Sequence, residues 1–169
     1  MIEFVRRRSV AWFVVGAVMA LGAAAFAWRE RPHPMPVVTF NTLSQGAFSA
    51  EALRGKVTLV TFWATSCTIC LSEMPQLVEL YQHYRERGFE LIGVAMPYDA
   101  AWLVADYSVK KALPFPVALD PQGDAVAAFG VAGTPTAFLI DKRGVVLQRI
   151  EGRPDFDRLS RKIERALAG

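Results

Sequence analysis

Apolar positions along this chain follow two different periods, and each change of period marks an element. "VTLVTFWA" (Val57–Ala64) is a continuous apolar and β-branched run without a charged residue. It predicts a central strand buried on both faces. Beyond it, Leu71, Met74, Leu77, Val78, Tyr81 and Tyr84 recur at steps of three and four, which predicts an amphipathic helix ended by Gly88. "FELIGVAM" (Phe89–Met96) reads as a second buried strand and "DAAWLVADYSVKKAL" (Asp99–Leu113) as a helix. A short strand, "FPVALD" (Phe115–Asp120), and a short helix within Pro121–Gly130 follow. "TAFLID" and "VVLQRIEG" flank a tight turn at "DKRG" and predict a hairpin. The closing segment predicts a helix with Pro154 in its first turn. Upstream, "VVTF" (Val37–Phe40) predicts a short strand, and "FSAEALRGK" a small helical turn. Strands alternating with helices, then a hairpin and a helix, imply one α/β domain with a mixed central sheet over residues 37–169.

The N-terminus has a different pattern. Residues 9–28 carry no charge, and a helix of that length matches the ~30 Å hydrocarbon core of a bilayer. Trp12 and Trp28 stand near its two ends, where interfacial aromatics occur. Arg6, Arg7 and Arg8 make residues 1–8 a basic tail held on the cytoplasmic side. The expectation is a single-pass signal-anchor at 9–28, with the domain on the periplasmic side of the inner membrane. A cleavable signal peptide cut after Ala25-Phe26-Ala27 competes with it; the length of the apolar run favours the anchor. Residues 29–36, ending in the proline-alternating "RPHPMP", read as an extended spacer.

Charge sharpens this division. Residues 1–31 hold five arginines against Glu3 and Glu30, which leaves fourteen basic and fourteen acidic residues in the remainder. The net charge of +3 thus belongs to the N-terminus, and no electrostatic footprint for nucleic acid is left.

Both cysteines of the chain lie in "FWATSCTICLSEMP" (Phe62–Pro75), between the central strand and the amphipathic helix. A zinc site needs about four ligands, and only His33 and His83 could add to the pair. A structural staple is poor, because closing so short a loop removes little unfolded-state entropy. A redox pair has a mechanism. At a strand-to-helix junction Cys67 meets unpaired backbone N–H groups and the positive end of the helix dipole, which favour the attacking thiolate. Cys70, one turn on, is placed to resolve a mixed disulfide.

"WATSCTIC", the helix containing Pro75, and the later "GTPT" together resemble thioredoxin-fold proteins. With the apolar N-terminus and the "CxxCxxE" run, the chain is most similar to the TlpA/ResA-like membrane-anchored thiol:disulfide oxidoreductases. That resemblance implies a redox-active Cys67–Cys70 disulfide as the working group, with no other cofactor and no metal. Cys67 would be the exposed attacking thiol and Cys70 the buried resolving one. Glu73 would match the buried glutamate that relays the proton of Cys70, whereas a solvated first-turn Glu is the alternative. Pro135 would match the cis-proline facing the cysteines, and Thr134 would offer its backbone to a substrate strand. Pro75 would match the proline within the active-site helix. Thr61 stands where thioredoxin carries a buried, titratable Asp.

The sequence departs from that pattern at Ser66, where most relatives carry Trp; Trp63 retains the other aromatic. Thr68 and Ile69 separate the cysteines, and neither adds the thiolate stabilisation of a strong oxidant, which favours a reductase. The expected substrate surface is therefore Trp63, Ser66, Thr68, Ile69, Thr134 and Pro135. Expected partners are protein disulfides, for example in cytochrome c maturation or metalloprotein assembly, and a membrane dithiol electron donor. A different class, a Sco-like copper-delivery protein or thiol-based binding module on the same fold, calls for wider cysteine spacing and a distal histidine. Trp102, Tyr98 and Phe129 read as core or rim aromatics.

Overall fold

The computed structural model describes residues 33–169. The basic tail, the anchor expected at 9–28 and the first half of the spacer lie outside the described residues. Among those described, no helix is long and apolar enough to cross a membrane.

Strand β4 (Val57–Trp63) is the axis of the molecule, and all seven of its residues are buried. It pairs in parallel with β5 (Phe89–Ala95) and antiparallel with β7 (Thr136–Ile140). Alternation sends Leu59 and Trp63 to one face and Val60 and Phe62 to the other. The first face packs against Cys70, Met74 and Leu77 of helix α1 (Thr68–Tyr84), Val104 of α2 (Ala101–Lys110), and Leu159 and Ile163 of α4 (Phe156–Ala168). The second packs against Phe40, Leu53, Phe129 and Ala125, the last from α3 (Asp124–Ala128). A strand covered on both faces has no place for a polar stripe, which is why its sequence is uncharged and dominated by apolar and β-branched residues.

The sheet is completed by β1 (His33–Pro34), β2 (Thr39–Thr42), β3 (Gly46–Ser49), β6 (Val117–Leu119) and β8 (Val145–Glu151), in the order β1-β8-β7-β4-β5-β6-β2-β3. It is mixed, with β5–β6 parallel and β2–β6 and β7–β8 antiparallel. The fold is the expected thioredoxin-like α/β arrangement. Gly88 follows a short 3-10 turn at Arg85–Arg87 and takes φ +90°, the left-handed conformation that ends the helical segment before β5.

Within the segment read as an extended spacer, His33 and Pro34 pair with Val146 and Val145, and the Met35 N–H bonds to the Gly144 carbonyl at 2.8 Å. Two expectations need correction. The first strand is shifted to Thr39–Thr42 and returns through a turn as β3. That return strand, "GAFS", has too little apolar alternation to announce itself; Thr42 Oγ1 organises the turn by donating to the Gly46 carbonyl at 2.7 Å. Finally, Pro154 precedes the first turn of α4, whose cap is the Asp155 carboxylate accepting from the Arg158 N–H at 2.9 Å.

The packing where β4 meets β5 is tight enough to test. A Cβ at Gly93 would lie 3.1 Å from Trp63 Nε1 and 3.3 Å from Phe115 Cε2, both on rings buried in the core. Gly93→Ala should therefore destabilise the domain by about 1–3 kcal/mol through overpacking. Equilibrium urea unfolding measures this; an unchanged midpoint would show that the ring of Trp63 is free to yield.

Candidate active site

β4 ends at Trp63, and five residues later, at Thr68, the chain is helical. Cys67 is the N-cap of α1 (φ −90°, ψ 99°), and its Sγ accepts from the Cys70 N–H at 3.2 Å. A thiolate at this position would meet the same donor and the helix dipole. The two cysteines form a disulfide. Their surroundings differ: Cys67 is half-buried, while Cys70 is fully buried on the inner face of α1 beside Met74 and Leu77. The sulfur of Cys67 is thus the one open to a partner, and Cys70 is shielded behind it.

Glu73 continues the same face of α1 and is only 2 % exposed. Its Oε2 has no hydrogen-bond partner. Burial pushes its carboxyl up from 4.5 to about 7, and the positive charge of Arg153 opposes that rise. A carboxyl that titrates near neutrality, one helical turn from a buried thiol, is suited to taking up and returning a proton. The solvated alternative for Glu73 is excluded by its burial. Arg153, in the loop after β8, is steadied by Gln76 through an Nη2–Oε1 bond of 3.0 Å. Sequence reasoning did not find Arg153, since its effect depends on the β8–α4 loop returning to α1.

The remaining expected residues divide. Ser66, Thr68 and Ile69 are exposed around Cys67. The pairing of Phe62 with Thr136 sets Thr134 and Pro135 at the end of the sheet from which the cysteine loop departs. The Thr134–Pro135 peptide is cis. Trp63 is a correction: it is 1 % exposed and packs against Tyr107 with ring centroids 5.4 Å apart, so its indole cannot form a substrate surface. As the last residue of a strand covered on both faces, it points into the core. Thr61 is buried and supplies no titratable group. Tyr98 and Trp102 are exposed, whereas Phe129 is core. Among the described residues, no group of three or more His, Cys, Asp and Glu side chains is placed to hold a metal ion.

A second residue missed from sequence is Asp99. Its place before an apolar helical pattern suggested only a helix start. Ala100 is instead the residue preceding α2, and it makes no side-chain cap bond. The Asp99 carboxylate accepts from Thr65 N–H at 2.5 Å and Thr65 Oγ1–H at 2.6 Å.

The model of the Redoxin family matches residues 32–163, which include β4, the cysteine loop, Glu73 and Pro135. The chain belongs to the Redoxin family. It is 39 % identical over 113 residues to the thiol-disulfide oxidoreductase ResA of Bacillus thuringiensis subsp. konkukian, covering 66 % of this chain and 64 % of that protein. ResA of Geobacillus kaustophilus is 36 % identical over 111 residues, covering 66 % and 63 %. The chain therefore spans less than two thirds of the length of these curated relatives. Among solved structures, a thiol:disulfide interchange protein of the thioredoxin family from Chlorobium tepidum TLS superposes with a TM-score of 0.73. It is 31 % identical, and the match covers 81 % of this chain and 97 % of that one.

The Glu73 ionisation carries a stability signature with a fixed sign. A folded-state pKa above the unfolded value stabilises the protein below the unfolded pKa, and that contribution is lost as pH rises through the folded one. For Glu73 in the disulfide form the window runs from 4.5 to about 7. Across it, the unfolding free energy of the wild type should fall by roughly 3 kcal/mol relative to Glu73→Gln. Denaturant titrations of both proteins at several pH values would measure the difference, and parallel curves would place the carboxyl in solvent.

Proposed function

We propose that this protein is a thiol:disulfide oxidoreductase that reduces disulfides in exported proteins through the Cys67–Cys70 dithiol. The observation that carries this reading is the graded burial of three groups on α1. Cys67 is half-buried at the helix N-terminus, Cys70 is fully buried behind it, and the buried Glu73 follows one turn on. The names of the ResA relatives and of the Chlorobium tepidum protein support the same chemistry.

In the reduced protein the Cys67 thiolate attacks one sulfur of the substrate disulfide. A bond forms between Cys67 and that sulfur, the substrate S–S bond breaks, and one substrate thiolate leaves. Cys70 then gives its proton to the Glu73 carboxylate, and its thiolate attacks the Cys67 sulfur. The Cys67–Cys70 bond forms, the mixed disulfide breaks, and the second substrate thiolate leaves. Protons from Glu73 and solvent neutralise the thiolates. Two electrons have passed to the substrate, and the disulfide seen here is the oxidised product. An external dithiol must reduce it again, and a membrane-embedded dithiol carrier on the exported side fits a chain anchored at residues 9–28. Apocytochrome c or an exported metalloprotein is the client class most consistent with the family resemblance.

Exposed Ser66, Thr68 and Ile69, with the backbone of Thr134, form the surface that would receive the substrate strand. Cys70→Ser leaves the attacking thiol without its resolving partner. Expressed in the native host, this variant should accumulate mixed disulfides through Cys67 that disappear on reduction. Their absence, when Cys67 remains reactive towards a small disulfide, would defeat the exchange mechanism.

A further inference from the structure

The loop that carries Cys67 is short. Ala64, Thr65 and Ser66 separate the end of β4 from the N-cap, and their geometry sets where the thiolate sits relative to the first N–H groups of α1. The β4–β5 pairing closes with the Met96 N–H on the Trp63 carbonyl at 3.0 Å, after which the two chains part. Within the loop, the Cys67 N–H reaches the Ala64 carbonyl at 3.1 Å. What rejoins the two strand ends is a carboxylate. Both oxygens of Asp99 are engaged by Thr65: Oδ2 by its N–H at 2.5 Å and Oδ1 by its hydroxyl at 2.6 Å. Asp99 is itself held in a turn by its own N–H on the Met96 carbonyl at 2.9 Å.

We infer that Asp99 is a positioning residue for the reaction, clamping Thr65 so that Cys67 is held at the N-terminus of α1. The inference rests on the proposed disulfide exchange. Two bonds from one side chain fix the backbone and the rotamer of Thr65 together, which a single main-chain bond in the loop cannot do. Cys67 lies two residues beyond Thr65, so freedom at Thr65 becomes displacement of the sulfur. A thiolate displaced from the helix N–H groups loses the interaction that lowers its pKa. Asp99 does not touch the reacting sulfurs; it acts through the loop.

The clamp separates experimentally from the charge. Asparagine at position 99 can keep both bonds, accepting from the Thr65 N–H through Oδ1 and donating through Nδ2 to the Thr65 hydroxyl. Alanine keeps neither. The test measures the Cys67 pKa by thiolate absorbance and the rate of attack on a small aromatic disulfide, using the reduced full-length protein. Asp99→Ala should raise the Cys67 pKa and slow attack at pH 7 by about tenfold, the equivalent of one charge-assisted hydrogen bond. Asp99→Asn should restore the rate to within about twofold of the wild type, a difference below half of one such bond. Thr65→Val, which keeps the N–H bond and loses the hydroxyl bond, should fall between, and Thr65→Ser should match the wild type. The double variant Asp99→Ala/Thr65→Val should be no slower than Asp99→Ala alone, since both changes break one clamp.

Wild-type pKa and rate in Asp99→Ala would overturn the inference, as would an Asp99→Asn variant as slow as the alanine one. If Asp99→Ala does not fold, Thr65→Val against Thr65→Ser decides by the same readouts, and equality of the two overturns the proposal. A wild-type protein that reacts with the small disulfide but never with protein disulfides would defeat the proposed function and leave the clamp result standing.

Discussion

Strand β4 is hydrogen-bonded along both edges and buried on both faces, and it runs straight into the loop that begins the reactive helix. The position of Cys67 is inherited from that arrangement. With Trp63 packed against Tyr107 and close to Gly93, the strand end has little room to move. The start of α1 is thereby set within one short loop of a rigid point. The same burial shields Cys70, because the helix face that carries it must cover the first face of the sheet. One packing requirement therefore creates both the half-buried and the fully protected sulfur.

Burial also sets the ionisation of Glu73, on which its proposed role depends. The helix places a carboxyl where the core has no hydrogen-bond partner for one of its oxygens, and desolvation raises its pKa towards neutrality. Arg153 moderates the effect without cancelling it. A closer ion pair would keep the carboxylate charged at neutral pH, and a fully apolar site would keep it protonated. In the proposed mechanism either extreme would disable proton exchange with Cys70.

The elements that were legible in the sequence are those whose signal is local. The uncharged, β-branched run of β4, the three-and-four spacing of α1 and the cysteine spacing each lie within a few turns or residues of chain, and each appears at the expected place. β3 was hidden because "GAFS" gains its strand character only by pairing with β2. His33 and Pro34 read as spacer because their partner, β8, lies more than a hundred residues away. Trp63 looked like a surface aromatic by its closeness to the cysteines, but strand alternation turns it inward.

By itself, then, the sequence determined the α/β class, the strand-to-helix junction and the residue types able to exchange disulfides. These follow from short-range periodicity and side-chain chemistry. Tertiary structure decided which sulfur is open, that Glu73 is buried beside a moderating arginine, and that Asp99 grips Thr65 instead of capping its own helix. The bonds between Asp99 and Thr65 span 34 residues, and Arg153 reaches Gln76 across 77. Desolvation and hydrogen-bond partnership over such separations exist only once the sheet and helices have packed.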